Sequence, residues 1–116
     1  MRDTPDIFPD DGNFLLVYVT APDKAVADRI ARTVVEERLA ACANLLEGMH
    51  SVYRWQGSIE EAREVACLFK TTADRREDLF ARVRELHPYE VPCIVALPIY
   101  AGSASFLEWL TAETRP

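Results

Sequence analysis

The order of apolar patterns along this 116-residue chain predicts an α+β fold of the ferredoxin-like, split βαβ kind. A four-stranded antiparallel sheet packs on two helices, with an extra helix at the C-terminus. Two observations carry that expectation. Short runs rich in β-branched and aromatic residues alternate with apolar stripes at i+4 spacing, in the order βαβ, βαβ, helix. Turn and stop residues stand between them. The length fits one domain over 14–116, preceded by a loose acidic tail, 1–13, that carries Pro5 and Pro9.

Phe14 to Thr20 (FLLVYVT) reads as the first strand, closed by Ala21-Pro22-Asp23. From Asp23 the period changes: Val26, Ile30 and Val34 recur at i+4, flanked by Ala27 and Ala31, as one helical stripe fading near Leu39. Ala41 to Glu47 starts the second strand. Gly48 interrupts it, and His50 to Gln56 continues extended. Gly57-Ser58 signals a turn, Ile59 to Ala62 is ambiguous, and Arg63 to Thr71 forms the third strand, antiparallel to the second in a long hairpin. Asp74 opens the second helix with Glu77 as its capping-box partner, and Leu79, Phe80, Val83 and Leu86 give its apolar face. Pro88 stops it. Cys93 to Ile99 is the fourth strand, and Gly102-Ser103 lead into a last helix with Phe106, Leu107, Trp109 and Leu110.

With helices on one side only, the other sheet face should be polar if it meets water. Instead Leu15 to Val19 and Cys93 to Leu97 are apolar throughout, and the third strand has Val65, Cys67 and Phe69 on one face and Ala66 and Leu68 on the other. One short helix is too small to cover four strands, so other subunits are expected to cover the second face.

Composition narrows the function. Hydrophobic residues make up 49% of the chain, enough for a core without staples. Thirteen Lys and Arg against 19 Asp and Glu give a net charge of -6, which disfavours nucleic acid and suits cations. No signal peptide or membrane span is legible. Cys42, Cys67 and Cys93 are odd in number, widely spaced and without a C-x-x-C, so reduced thiols in the cytoplasm are expected.

Several residues carry two readings. Cys42 is either a small buried apolar residue or a soft thiolate ligand for Cu(I). Cys67 sits in an apolar run and reads as core, and Cys93 reads as partly exposed and a weaker ligand candidate. His87, at the end of a helix, either answers the negative dipole end or ligates a metal, and its segment also supplies Tyr89 and Glu90. His50 reads as a solvated strand residue. Tyr53 and Trp55 lie two apart and share a strand face; lacking a basic field for nucleic acid, they read as subunit-interface residues. Asp3, Asp6, Asp10 and Asp11 read as a solvated tail. No catalytic set emerges, and an enzyme is not expected.

Four segments resemble the CutA divalent-cation-tolerance family: Val19-Thr20-Ala21-Pro22-Asp23; Glu36 to Asn44 (EERLAACAN); Ser51 to Gly57 (SVYRWQG); and His87 to Pro92 (HPYEVP) followed by Ala96-Leu97-Pro98. Trp109 also fits, and the resemblance runs from about Phe14 to Thr114. It implies a ferredoxin-like subunit in a tight homotrimer similar to PII-type proteins, with long hairpins pairing between subunits. It also implies a role in tolerance of copper and other divalent metals. Some members carry a cysteine where this chain has Val19, so a ligand set built on that thiol does not transfer. Many have an acidic residue in place of Gln56, and another in place of Cys93. The expectation is a cytoplasmic, non-enzymatic homotrimer binding copper or another divalent cation, with no organic cofactor and no nucleic-acid or membrane partner. Its candidate metal ligands are Cys42, His87 and Glu90, and Tyr53 and Trp55 are at the trimer interface. The alternative is a PII-like sensor that binds a small effector at subunit clefts.

Overall fold

The computed structural model describes residues 13–116, so most of the expected acidic tail lies outside the described residues. Strand β1 (Phe14–Ala21) buries every second side chain, Leu15, Val17, Val19 and Ala21, against the helices. Helix α1 (Lys24–Glu36) starts where Asp23 accepts a hydrogen bond from the Val26 N–H at 2.9 Å, satisfying one orphan donor of the first turn. It buries Ala27, Ile30, Ala31 and Val34, the expected stripe. It ends short of Leu39 because Arg38 takes a left-handed φ of 61° and the Leu39 N–H donates back to the Val34 carbonyl.

Strands β2 (Cys42–Trp55) and β3 (Ser58–Thr72) form the long hairpin. The turn falls one residue before the expected Gly57-Ser58: Gln56 and Gly57 both have positive φ, 49° and 85°, as a two-residue primed turn requires, and Ser58 already begins β3. The ambiguous segment from Ile59 to Ala62 is strand, paired to Ser51–Arg54. Helix α2 (Arg76–Leu86) corrects one expectation: the Asp74/Glu77 capping box does not form. Ala73–Arg75 make a 3₁₀ turn, and Asp74 is drawn away to Arg115, 3.0 Å, and to the Thr72 hydroxyl. Strand β4 (Ile94–Pro98) is one residue shorter at each end than Cys93–Ile99. Helix α3 (Ala104–Glu113) is capped by Ser103, whose hydroxyl accepts from the Phe106 N–H.

The sheet order is β2-β3-β1-β4 with all neighbours antiparallel, the expected ferredoxin-like topology. The core lies between one sheet face and α1 and α2, where Val17, Val19, Ile30, Val34, Phe69, Leu79 and Val83 are fully buried. Cys67 belongs to this core, and burial pushes its thiol up to about 11.

The opposite sheet face is left uncovered in part. Leu46, Val95 and Leu97 are 59%, 48% and 49% exposed. Helix α3 is tied elsewhere, to the end of β3, with the Thr114 and Thr72 hydroxyls 3.3 Å apart and Arg115 on Asp74. A second exposed element adds to this. β1 pairs with β3 only over Val65–Thr72, so residues 49–64 leave the sheet as a two-stranded ribbon and stretch the chain to 52 × 26 × 23 Å. Such a ribbon is marginal alone in water.

Between Leu46 and Met49 the pairing slips: Glu47 and Gly48 stand opposite Val65 alone, a β-bulge with Gly48 at φ 83°. Because side chains alternate along a strand, the extra residue exchanges the faces of everything after it. Cys42, Asn44 and Leu46 lie on the open sheet face before the bulge; Met49, Ser51, Tyr53 and Trp55 lie on it afterwards.

The Arg115 guanidinium, followed by the Thr72 hydroxyl, holds the Asp74 carboxyl below its ordinary value. A depressed folded value stabilises above the unfolded value, and the contribution is lost as pH falls through the folded one. Asp74→Asn should therefore lower the urea midpoint at neutral pH, with the gap from the parent closing in acid. A gap that stays constant with pH would refute this coupling.

Candidate functional site

The bulge and the loop after α2 build one concave site. The open-face row of β3 runs Leu68, Ala66, Glu64, and the switched residues of β2 bring Ser51, Tyr53 and Trp55 to the same side. β1 contributes Tyr18 and Thr20. The segment from Tyr89 to Cys93 closes the far wall with Tyr89, Glu90, Val91 and Cys93. The cleft they line encloses about 520 Å³, within the range of small-molecule sites.

A chain of hydrogen bonds holds the wall in place. His87, buried at 7% exposure, sits at the C-terminal end of α2, where Pro88 ends the helix. Its Nε2 lies 2.7 Å from the Thr20 carbonyl, and its Nδ1 lies 3.2 Å from the Tyr89 backbone nitrogen. A carbonyl only accepts and an amide N–H only donates, so the ring carries its hydrogen on Nε2 and accepts at Nδ1. The Tyr89 ring lies 4.8 Å from the His87 ring, and its hydroxyl donates to Glu64 Oε2 at 3.1 Å. His87 thus links β1 to the cleft wall.

Glu64 is 8% exposed, and Tyr89 is the one side chain that hydrogen-bonds it among the described residues. Its negative charge is felt across the cleft. Burial, then the hydrogen bond to Glu64, pushes the Tyr89 hydroxyl up to about 12. Burial first and the Glu64 carboxylate second raise the Cys93 thiol, and burial followed by Cys93 and Glu64 raises the Tyr18 hydroxyl. Tyr18 also donates to the Met49 sulfur at 3.4 Å, tying β1 to the ribbon just past the bulge.

The candidate residues named from sequence divide into two groups. Glu90, Tyr53 and Trp55 converge on the cleft, with His87 beneath its wall. Cys42 does not join them. It pairs with Lys70, opposite Leu16 of β1, whereas His87 binds at Thr20, four residues further along. The two are separated by about 13 Å along the strands and by two strand widths across the sheet. Within one subunit Cys42, His87 and Glu90 form no ligand set. Among the described residues no group of three His, Cys, Asp or Glu is placed to hold a metal ion. His50, solvated as expected, contacts Glu61 at 2.8 Å. Sequence reading missed Glu64 and Tyr18 as site residues. The available signal was a carboxylate that follows Leu68 and Ala66 on one face of the third strand, close to the Gly48 interruption of the second.

Two changes test this construction. Tyr89 should ionise near pH 12, and in Glu64→Gln its tyrosinate absorbance should appear at lower pH, falling only partway because burial is the larger cause. A raised value favours the neutral form, so its stabilisation holds below the ordinary value and fades as pH rises through about 12. An identical titration in the variant would remove Glu64 from the cleft. His87→Ala strands the Thr20 carbonyl and the Tyr89 N–H and should cost about 2–3 kcal/mol in urea unfolding; a loss below about 0.5 kcal/mol, the lower end for one net hydrogen bond, would show that the linkage carries no stability.

Comparison with known proteins agrees with this architecture. The CutA1 divalent ion tolerance protein family model matches residues 15–113. The divalent-cation tolerance protein CutA of Thermus thermophilus is 50% identical over 99 residues, 85% of this chain and 96% of its own. That of Pyrococcus horikoshii is 43% identical over 101 residues, 87% of this chain and 98% of its own. Among solved structures, the Thermus thermophilus divalent cation tolerance protein superposes with a TM-score of 0.86 at 48% identity, covering 88% of this chain and 99% of its own. CutA from Xylella fastidiosa superposes at 0.87 with 39% identity, covering 89% of this chain and 99% of its own. The chain belongs to the CutA1 divalent ion tolerance protein family.

Proposed function

We propose that this chain is a non-enzymatic divalent-cation tolerance protein that works as a homotrimer in the cytoplasm. The tolerance role is supported by the relatives' names, and the compartment by three unpaired thiols. One observation carries the assembly: an apolar sheet face and a two-stranded ribbon both stand unsupported in a single subunit. Val52, Tyr53, Trp55 and Ile59 of the ribbon are 40–60% exposed. Neighbouring subunits that take up the ribbon and cover Leu46, Val95 and Leu97 would remove both costs. Tyr53 and Trp55 are then interface residues as well as cleft residues. Light scattering should give three chains of 13.1 kDa, 39.3 kDa in all; a stable monomer at micromolar concentration would end the proposal. Trp55→Ala should loosen the trimer by about 2 kcal/mol or more, read as dissociation on dilution.

For the metal, copper is the ion that this donor chemistry favours, with Cys42, His87 and Glu90 as candidates. Thiolate suits Cu(I), imidazole either state and carboxylate Cu(II). Since these residues lie apart in one subunit, a site must draw on two subunits. Cys42, half-buried on the open face, leads it. His87 would enter only by giving up a hydrogen bond to Thr20 or Tyr89. A Cys42→Ser, His87→Ala trimer should bind copper at least tenfold more weakly than the parent, measured by competition titration, and unchanged affinity would dismiss the set.

A second reading rests on the 520 Å³ cleft. Such a volume suits an organic effector better than a bare ion, and its position beside the ribbon would put it at a subunit boundary. A metabolite thermal-shift screen on the trimer tests this PII-like sensor reading.

A further inference from the structure

We propose that the cleft binds a small organic cation, a compound bearing an ammonium or guanidinium group, with Glu64 as its counter-charge. This deepens the small-effector reading and rests on it.

Charge points first to a cation. Glu64 and Glu90 are the charged side chains that line the cleft, and no Lys or Arg is among its lining residues. Neither glutamate takes part in any ion pair of the described residues; the basic side chains that are paired turn to Asp28, Asp74, Asp78, Glu37, Glu85 and Glu113 instead. A carboxylate taken out of water without a positive partner is costly, and one neutral hydroxyl, that of Tyr89, offsets only part of the loss. A cation entering the cleft would offset more of it. Burial is the first cause of the upward shifts at Tyr18, Tyr89 and Cys93, and the Glu64 charge adds to each of them. A phosphorylated or carboxylated effector would meet that same field as repulsion.

The walls decide what kind of cation fits. Tyr18, Tyr53, Trp55 and Tyr89 line the same space, and aromatic faces attract ammonium and guanidinium groups with the ring quadrupole. Strongly hydrated metal ions gain little from such faces and need several donors at bonding distance, which the described residues do not assemble. About 520 Å³ is also far more room than a single ion with its ligands fills, whereas it suits an organic molecule.

The full-length assembled protein tests this by calorimetric titration with choline, with agmatine, with 3,3-dimethyl-1-butanol as the neutral isostere of choline, and with ATP as an anion. Choline or agmatine should bind, the neutral isostere at least tenfold more weakly, and ATP not at all. Binding of the cation should weaken with added salt. It should fall about tenfold in Glu64→Gln, which keeps an oxygen for Tyr89, and fall in Glu90→Gln, an exposed change that leaves the fold intact should Glu64→Gln unfold. Equal binding of choline and its neutral isostere, or preference for ATP, would overturn the cation proposal and leave the effector reading standing. Heat from none of the four compounds, with a metabolite screen equally silent, would overturn both.

Discussion

Strand β3 sustains two incompatible demands, and the rest of the molecule follows from how they are met. Its second half, Val65–Thr72, pairs with β1 throughout and with β2 from Ala66 to Lys70, and it buries Val65, Cys67 and Phe69 under the helices. Its first half has β2 alone as a partner and leaves the sheet. The transition falls at Glu64–Val65, where β2 carries its bulge. A fully paired sheet would have no cleft at that point. A ribbon without the bulge would aim Tyr53 and Trp55 at the opposite side. Pairing, bulge and cleft are therefore one structural event.

The same event separates two kinds of stabilisation. On the helix side, close-packed apolar side chains hold the subunit together, with Cys67 kept as an inert thiol. On the open side, the fold exposes leucine and valine and surrounds a poorly solvated carboxylate with tyrosines. Neither is favourable for an isolated subunit. In the proposed assembly a neighbouring copy of the chain would relieve the apolar exposure, and a bound cation the carboxylate. Assembly and ligand binding as proposed would meet at the ribbon, where Tyr53 and Trp55, read from sequence as interface aromatics, line the cleft.

His87 shows how a chemical reading meets a competing structural use of the same side chain. An imidazole next to a tyrosine and a glutamate reads as a ligand on composition. In the fold, its two nitrogens are taken by the Thr20 carbonyl and the Tyr89 amide, and it serves as a strut. Asp74 is a similar case: a capping signal three residues before Glu77 is overridden because Arg115 at the end of α3 offers a charged partner. At Asp74 a long-range charged contact outweighs a local capping preference worth about 1 kcal/mol.

Periodicity alone determined most of the secondary structure. The α1 stripe, its start at Asp23 and the stop at Pro88 depend on residues within one or two turns of each other, so they are legible without a fold, and the hairpin reversal, read at Gly57-Ser58, lies one residue away at Gln56-Gly57. The doubled apolar faces of β1 and β4 likewise announced a face that the helices do not cover. Tertiary structure alone decided the site. Glu64 is one carboxylate among many until the Glu47–Gly48 bulge sets which residues oppose it, and Tyr89 becomes its partner only across 25 residues of chain. Cys42 and His87 look like companions in a list of metal-binding side chains, yet strand register places them at opposite ends of the sheet. Local patterns encode which backbone forms; register, set by long-range pairing, decides which side chains meet.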